Sequence, residues 1–208
     1  MNHIVLLGDS IFDNAAYVAG GPDVVRQVRE LLPAGWRATL NAVDGAVIAD
    51  VPQQLQRLPA DASHLVVSVG GNDALGEAAL LDQKVGSVAE ALELITQVRE
   101  RFRSGYARML DQVLNRRLPI AVCTIYEPRF PEPMRRRLAA TALTALNDAI
   151  TREAFARKVD CIDLRLICDD DRDFANPIEP SIQGGAKIAR AILTFATAEP
   201  QRPRVITG

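Results

Sequence analysis

The feature that most constrains this chain is an alternation. Five short, nearly continuous apolar runs are each followed by a segment of helical periodicity. The runs are His3–Gly8, Trp36–Val43, His64–Gly70, Ile120–Tyr126 and Val159–Leu164. They are rich in Val, Ile and Leu, and turn-forming residues bound several of them, which is the pattern of strands. Continuous rather than alternating hydrophobicity implies strands covered on both faces, as in a parallel sheet. Between them, Asp23–Leu32 carries Val24, Val25, Val28, Leu31 and Leu32 near a period of 3.6, and Pro33 and Gly35 stop it. Ile48–Leu58 repeats the theme. Leu81–Leu114 is long enough for two helices, with a break expected at Ser104-Gly105. Glu132–Lys158 is helical throughout. Ser181–Thr197 opens on a capping Ser and places Ile188, Ala189 and Ile192 on one face. This order predicts an α/β fold: a three-layer α/β/α sandwich on a flavodoxin-like, five-stranded parallel sheet of order 2-1-3-4-5. Residues 1–198 read as one domain, and the polar stretch 199–208, with two prolines, reads as a tail.

Composition excludes several classes of function. Hydrophobic residues make up 48% of the 208 and charged residues 24%, the balance of a soluble globular protein rather than a disordered one. A net charge of −2 gives no electrostatic footprint for nucleic acid. No apolar run is long enough to span a bilayer. No basic segment precedes the short run Ile4–Leu7, so no secretory signal is expected. Cys123, Cys161 and Cys168 form neither an even disulfide framework nor a CxxC pair, which favours a reducing, cytoplasmic setting. Two His and three scattered Cys show no metal-ligand spacing, although a carboxylate-only site stays open. No GxxxxGK[ST] is present and no GxGxxG follows the first strand, so no nucleotide or other cofactor is expected. The sequence does not set the oligomeric state.

In open α/β sheets, sites form beyond the carboxyl ends of the strands. Gly8-Asp9-Ser10 follows the first strand and Asn41-Ala42-Val43-Asp44-Gly45 the second. Gly70-Gly71-Asn72-Asp73 follows the third and Tyr126-Glu127-Pro128 the fourth. Asn176-Pro177-Ile178-Glu179-Pro180-Ser181 comes some way after the fifth. Each taken alone is also ordinary turn or cap chemistry. Together they bring polar groups and glycines to one edge, the geometry of a catalytic cleft.

These residues resemble the SGNH (GDSL) hydrolases, serine esterases, lipases, thioesterases and acetylhydrolases on a flavodoxin-like sheet. Gly8-Asp9-Ser10 is similar to the family's first block, whose Ser is the nucleophile. Gly45 matches the second-block glycine, whose N–H helps form the oxyanion hole. Gly71-Asn72-Asp73 resembles the third block, whose Asn side chain is a further oxyanion donor. The resemblance covers nearly the whole chain and implies a small ester or acyl substrate. The last block departs from the family pattern Asp-x-x-His-Pro. Here Asn176 stands at the aspartate position and Glu179 at the histidine position.

Neither histidine is placed to substitute. His3 and His64 open strands whose far ends are five to six residues on, which puts both roughly 16–20 Å from the cleft. A carboxylate is ordinarily about two pKa units less basic than imidazole, and burial of Glu179 would recover part of that deficit. An Asp beside Glu179 would repel it, whereas an Asn amide can donate to it. Asn176 is therefore expected to donate a hydrogen bond to the Glu179 carboxylate, and Glu179 to accept one from Ser10. Asp9, Asp13, Asp44, Asp73 and Glu127 are other acids near the strand ends, read first as turn and cap residues. Tyr126 and the run Arg135-Arg136-Arg137 face either the cleft or water. Two function classes follow. One is a serine hydrolase using Ser10, Glu179 and Asn176, with an oxyanion hole from Ser10, Gly45 and Asn72. The other is a catalytically impaired relative that binds or regulates through the same cleft.

Overall fold

The computed structural model describes residues 2–198, so the expected tail at 199–208 lies outside the described residues. Five strands, β1 His3–Gly8, β2 Arg37–Leu40, β3 His64–Ser68, β4 Ile120–Cys123 and β5 Asp160–Ile162, form one sheet. Its order is β2-β1-β3-β4-β5, and every neighbouring pair is parallel. In register, Val5 stands opposite Thr39 and Leu65, Leu65 opposite Ile120, and Ala121 opposite Asp160.

The helices are α1 Val24–Leu31, α2 Val51–Leu55, α3 Gly71–Gly76, α4 Val88–Leu114, α5 Pro133–Ala156, α6 Leu164–Ile167 and α7 Ile182–Thr197. Alternate residues of β1 feed two cores. Ile4 and Leu6 pack with α1 and α7, and Val5 and Leu7 pack with α2, α4 and α5. All four are fully buried, and each such side chain stabilises the fold by about 1.5–3 kcal/mol relative to exposure. Caps define the helix starts, because the side chains of Asp23, Ser87 and Ser181 accept backbone N–H groups of Arg26, Glu90 and Gly184.

Two expectations are corrected. No break occurs at Ser104-Gly105, since α4 runs unbroken from Val88 to Leu114. Phe102, Tyr106, Met109 and Leu110 are buried on either side of Gly105 and hold the helix, outweighing the roughly 1 kcal/mol propensity cost of Gly. The interruption lies earlier, between a 3-10 turn at Ala78–Asp82 and the Ser87 cap. Strands 2 to 5 are also shorter than their apolar runs. The residues past the ladder, such as Ile125 and Tyr126, stay apolar because they line a cavity. Among the described residues no helix is long and apolar enough to cross a membrane.

Candidate active site

The chain leaves β1 through a turn that only glycine permits. Gly8 has φ +121°, and a Cβ there would lie 1.7 Å from the Ser68 carbonyl oxygen. Buried Gln54 clamps this residue twice: its Oε1 accepts the Gly8 N–H and its Nε2 donates to the Gly8 carbonyl, both at 2.7 Å. The Asp9 carbonyl accepts the N–H groups of Phe12 and Asp13, and Asp9 Oδ1 accepts that of Ile11. The turn delivers Ser10, which is buried. Its Oγ donates to Glu179 Oε1 at 2.9 Å across 169 residues of sequence.

Glu179 sits between α6 and α7 on a loop whose backbone is tied at successive residues. Arg129 N–H donates to the Pro177 carbonyl (2.7 Å), Tyr126 Oη to the Ile178 carbonyl (2.6 Å) and Asn14 Nδ2 to the Pro180 carbonyl (3.1 Å). Asn176 departs from expectation. Its side-chain oxygen accepts the N–H groups of Ile178 and Glu179, each at 3.0 Å, and its amide makes no bond to the Glu179 carboxylate. Two backbone donors one turn ahead are the nearer partners for an Asx side chain. Asn176 thus shapes the loop, and Glu179 Oε2 has no hydrogen-bond partner.

The oxyanion candidates converge on the same edge. The 43–46 loop is fixed to the end of β1 by Val43 N–H donating to the Gly8 carbonyl at 3.0 Å. Gly45 adopts φ +79°, the left-handed conformation that favours glycine. Asn72 Nδ2 donates to the Ala46 carbonyl at 2.9 Å, tying α3 to that loop, and its second amide hydrogen remains available. Among the described residues, the backbone N–H groups of Ser10 and Gly45 make no hydrogen bond within the protein.

Burial dominates the electrostatics. It pushes Glu179 up to about 7, with the nearby Asp44 charge adding to the rise and the Ser10 hydroxyl bond opposing it. Burial pushes Asp9 to about 8, helped by the Glu179 charge and opposed by the Ile11 N–H. Burial thus holds both carboxyls well above the ordinary carboxylate range. Beside Ser10, Asn72 and Glu179 opens a cavity of about 140 Å³, walled by apolar residues including Leu75, Ile95, Val98, Leu143 and Leu146. That matches the roughly 150 Å³ of an engineered cavity that takes up benzene.

Several residues fall where the sequence reading put them. Asp13 Oδ2 accepts the Asp44 N–H and Asp73 Oδ2 accepts that of Ile48, both turn or cap contacts. His3 bonds Asp61 and Thr39, and His64 bonds Ser63 and stacks on Trp36, all at the amino ends of their strands. Arg135 lines the cavity and lies over Phe130, whereas Arg136 pairs with Asp171. The sequence reading missed Gln54 and Asn14. A lone amide between Val51 and Leu55, on the buried face of α2, was the available signal for Gln54.

Comparison with known proteins agrees with this architecture. No curated protein sequence matches the chain. Among solved structures, an extracellular lipase from Streptomyces rimosus superposes with TM-score 0.68 at 18% identity, covering 95% of this chain and 100% of that one. A lipase/acylhydrolase from Enterococcus faecalis gives TM-score 0.64 at 20% identity, covering 98% and 100%. An acetyl xylan esterase variant from Geobacillus stearothermophilus gives TM-score 0.63 at 17% identity, covering 97% of each. These likenesses concern the fold. The model of the GDSL-like Lipase/Acylhydrolase family matches residues 6–184. This chain belongs to the GDSL-like lipase/acylhydrolase family.

Proposed function

We propose that the protein is a serine hydrolase of a small ester, thioester or acetylated compound, with Ser10 as nucleophile and Glu179 in place of the usual histidine. The observation that carries this reading is the 2.9 Å bond from Ser10 Oγ to Glu179 Oε1. A nucleophile in contact with its base is the arrangement that covalent catalysis needs. A carboxyl raised to about 7 is also close to the basicity that suits proton transfer at neutral pH.

In this reading Glu179 takes the hydroxyl proton as Ser10 Oγ attacks the carbonyl carbon. The Ser10 N–H, the Gly45 N–H and the Asn72 amide bind the resulting oxyanion. Glu179 returns the proton to the leaving alcohol or thiol. Water then repeats the sequence on the acyl-enzyme and frees the acid. Asn176 is a positioning residue, since its oxygen fixes the backbone that presents Glu179. The apolar cavity receives the acyl group. No step requires a cofactor. The free thiols, with Cys123 and Cys168 buried, support a reducing, cytoplasmic setting.

The test is hydrolysis of p-nitrophenyl acetate near neutral pH by wild type and Ser10→Ala. Turnover lost with Ser10 supports the hydrolase. Equal background rates for both proteins, extended to p-nitrophenyl butyrate, would leave the cleft as a ligand-binding module.

A further inference from the structure

Two spaces meet at Val98 on α4. One is the apolar cavity beside Ser10. The other is a groove of about 420 Å³ between α4, α3 and the start of α2. Arg101, Arg108 and Gln112 on its walls are exposed, so this groove opens to solvent. Glu77, Val98 and Leu146 border both spaces. A residue that borders two spaces is a wall one side chain thick.

The wall is braced on every side. Arg99, next to Val98, pairs with Asp148 on α5 at 2.7 Å, and Arg101 pairs with Glu77 at 2.9 Å. Beside Leu146, the Asn147 side chain accepts the Ile125 N–H at 2.8 Å and donates to the Ile125 carbonyl at 2.7 Å. One turn beyond Val98, the Phe102 ring packs so closely on Gly70 that a Cβ there would lie 2.9 Å from Cζ. A β-branched residue in a helix has one strongly preferred χ1 rotamer. Val98 is therefore a fixed partition, and the chain has placed it between the nucleophile's cavity and open solvent.

We propose that Val98, backed by Leu146 and Glu77, closes the far end of the acyl cavity and limits the substrate to an acyl group of about six carbons. This rests on the hydrolase reading of Ser10 and narrows its substrate to a medium-chain ester. The length follows from the volume: the cavity matches one that holds benzene, roughly six carbons. Up to that length each buried methylene raises kcat/KM by about fourfold. Further carbons meet Val98. Shortening that side chain joins the two spaces, and a longer chain then passes into the groove, where Phe102 and Met109 offer apolar surface.

The test is the chain-length profile of kcat/KM over the p-nitrophenyl acetate, butyrate, hexanoate, octanoate and decanoate esters. In wild type the profile should climb to hexanoate and fall beyond it. Val98→Ala should raise the octanoate-to-hexanoate ratio by about tenfold or more, the worth of two further methylenes at about fourfold each. Val113→Ala is the control, since it removes the same atoms from a fully buried position of α4 that borders neither space. It should leave the ratio unchanged. Binding of the butyrate to decanoate anions to wild type and Val98→Ala is followed by calorimetry in parallel. Ser10-dependent turnover with no fall after hexanoate, or with a ratio that Val98→Ala does not move, overturns the partition and leaves the hydrolase standing. A shift of equal size in Val113→Ala assigns the effect to general loosening of α4 and also overturns it. An anion-binding optimum at hexanoate that moves to octanoate in Val98→Ala, without turnover of any ester, sustains the partition and overturns the hydrolase. Neither turnover nor binding overturns both.

Discussion

Glu179→Gln separates what the carboxylate does for catalysis from what it does to the fold. The amide keeps the shape, and its oxygen still accepts the Ser10 hydroxyl, but it cannot take the proton. Loss of a positioned general base predicts a fall in kcat of about 10² to 10⁴. The effect on stability has the opposite sign. An unfolded Glu ionises near its ordinary value of 4.5, the folded one near 7. Between those values the unfolded chain releases a proton that the native state retains, so native stability falls as pH rises through that window and levels off above it. The difference corresponds to about 3 kcal/mol at most. Glutamine has no such dependence. The variant should therefore match wild type below about pH 4.5 and exceed it above about pH 7, by up to about 3 kcal/mol less the cost of its unpaired amide. At roughly 2–4 °C per kcal/mol for a chain of this size, that is a rise of several degrees in Tm. Thermal melts at about pH 5 and about pH 8, alongside kcat/KM for p-nitrophenyl butyrate, measure both effects. Activity within tenfold of wild type would rule out Glu179 as the base, and a Tm difference that does not grow with pH would rule out its raised pKa.

Further outcomes follow from the same geometry. In wild type, kcat/KM should rise with pH and level off above about 7, because Glu179 must be ionised to act; a profile flat down to about pH 5 would exclude it as the base. Asn72→Ala should lower kcat by about 10² to 10³, with the fold preserved as judged by circular dichroism. Gln54→Ala strips both polar groups of Gly8 of their partners and should destabilise by about 2–4 kcal/mol in urea unfolding; a change under 1 kcal/mol, on the order of one neutral hydrogen bond, would show that water replaces the clamp. Leu143→Trp places bulk in the acyl cavity and should cut turnover of p-nitrophenyl hexanoate far more than of the acetate, and an unchanged chain-length profile would place the acyl group elsewhere.

Much of the architecture was legible because one signal was strong. Fully buried strands such as Ile4–Leu7 leave apolar runs that polar loops do not imitate, and parallel crossovers restrict their order. The same signal overran the strand ends, since Ile125 and Tyr126 are apolar for the cavity rather than for the ladder. Helix α3 was hidden, because Gly71-Asn72-Asp73 reads as a turn and one and a half turns of helix carry no periodicity. Gly105 misled in the other direction, as neighbouring anchors hold α4 through it. At the site, the pairing of Ser10 with Glu179 was expected from the resemblance, which sets Glu179 at the position of the family's histidine, and the bond between them is present. The contacts of Asn176 were not foreseen, because whether an Asx side chain bonds its own backbone or a neighbour depends on loop geometry that composition does not carry. Gln54 and Asn14 act through buried contacts 46 and 166 residues away, beyond any local pattern.

In the proposed mechanism Ser10 is a nucleophile activated by Glu179. Treating wild type, Ser10→Ala and Glu179→Gln with an alkyl fluorophosphonate and mapping the adduct by mass spectrometry tests it most directly. One phosphonyl group per wild-type chain is expected, located on Ser10, absent from Ser10→Ala and formed far more slowly in Glu179→Gln. An unmodified Ser10 in wild type, or equal labelling rates with and without the Glu179 carboxylate, would contradict it.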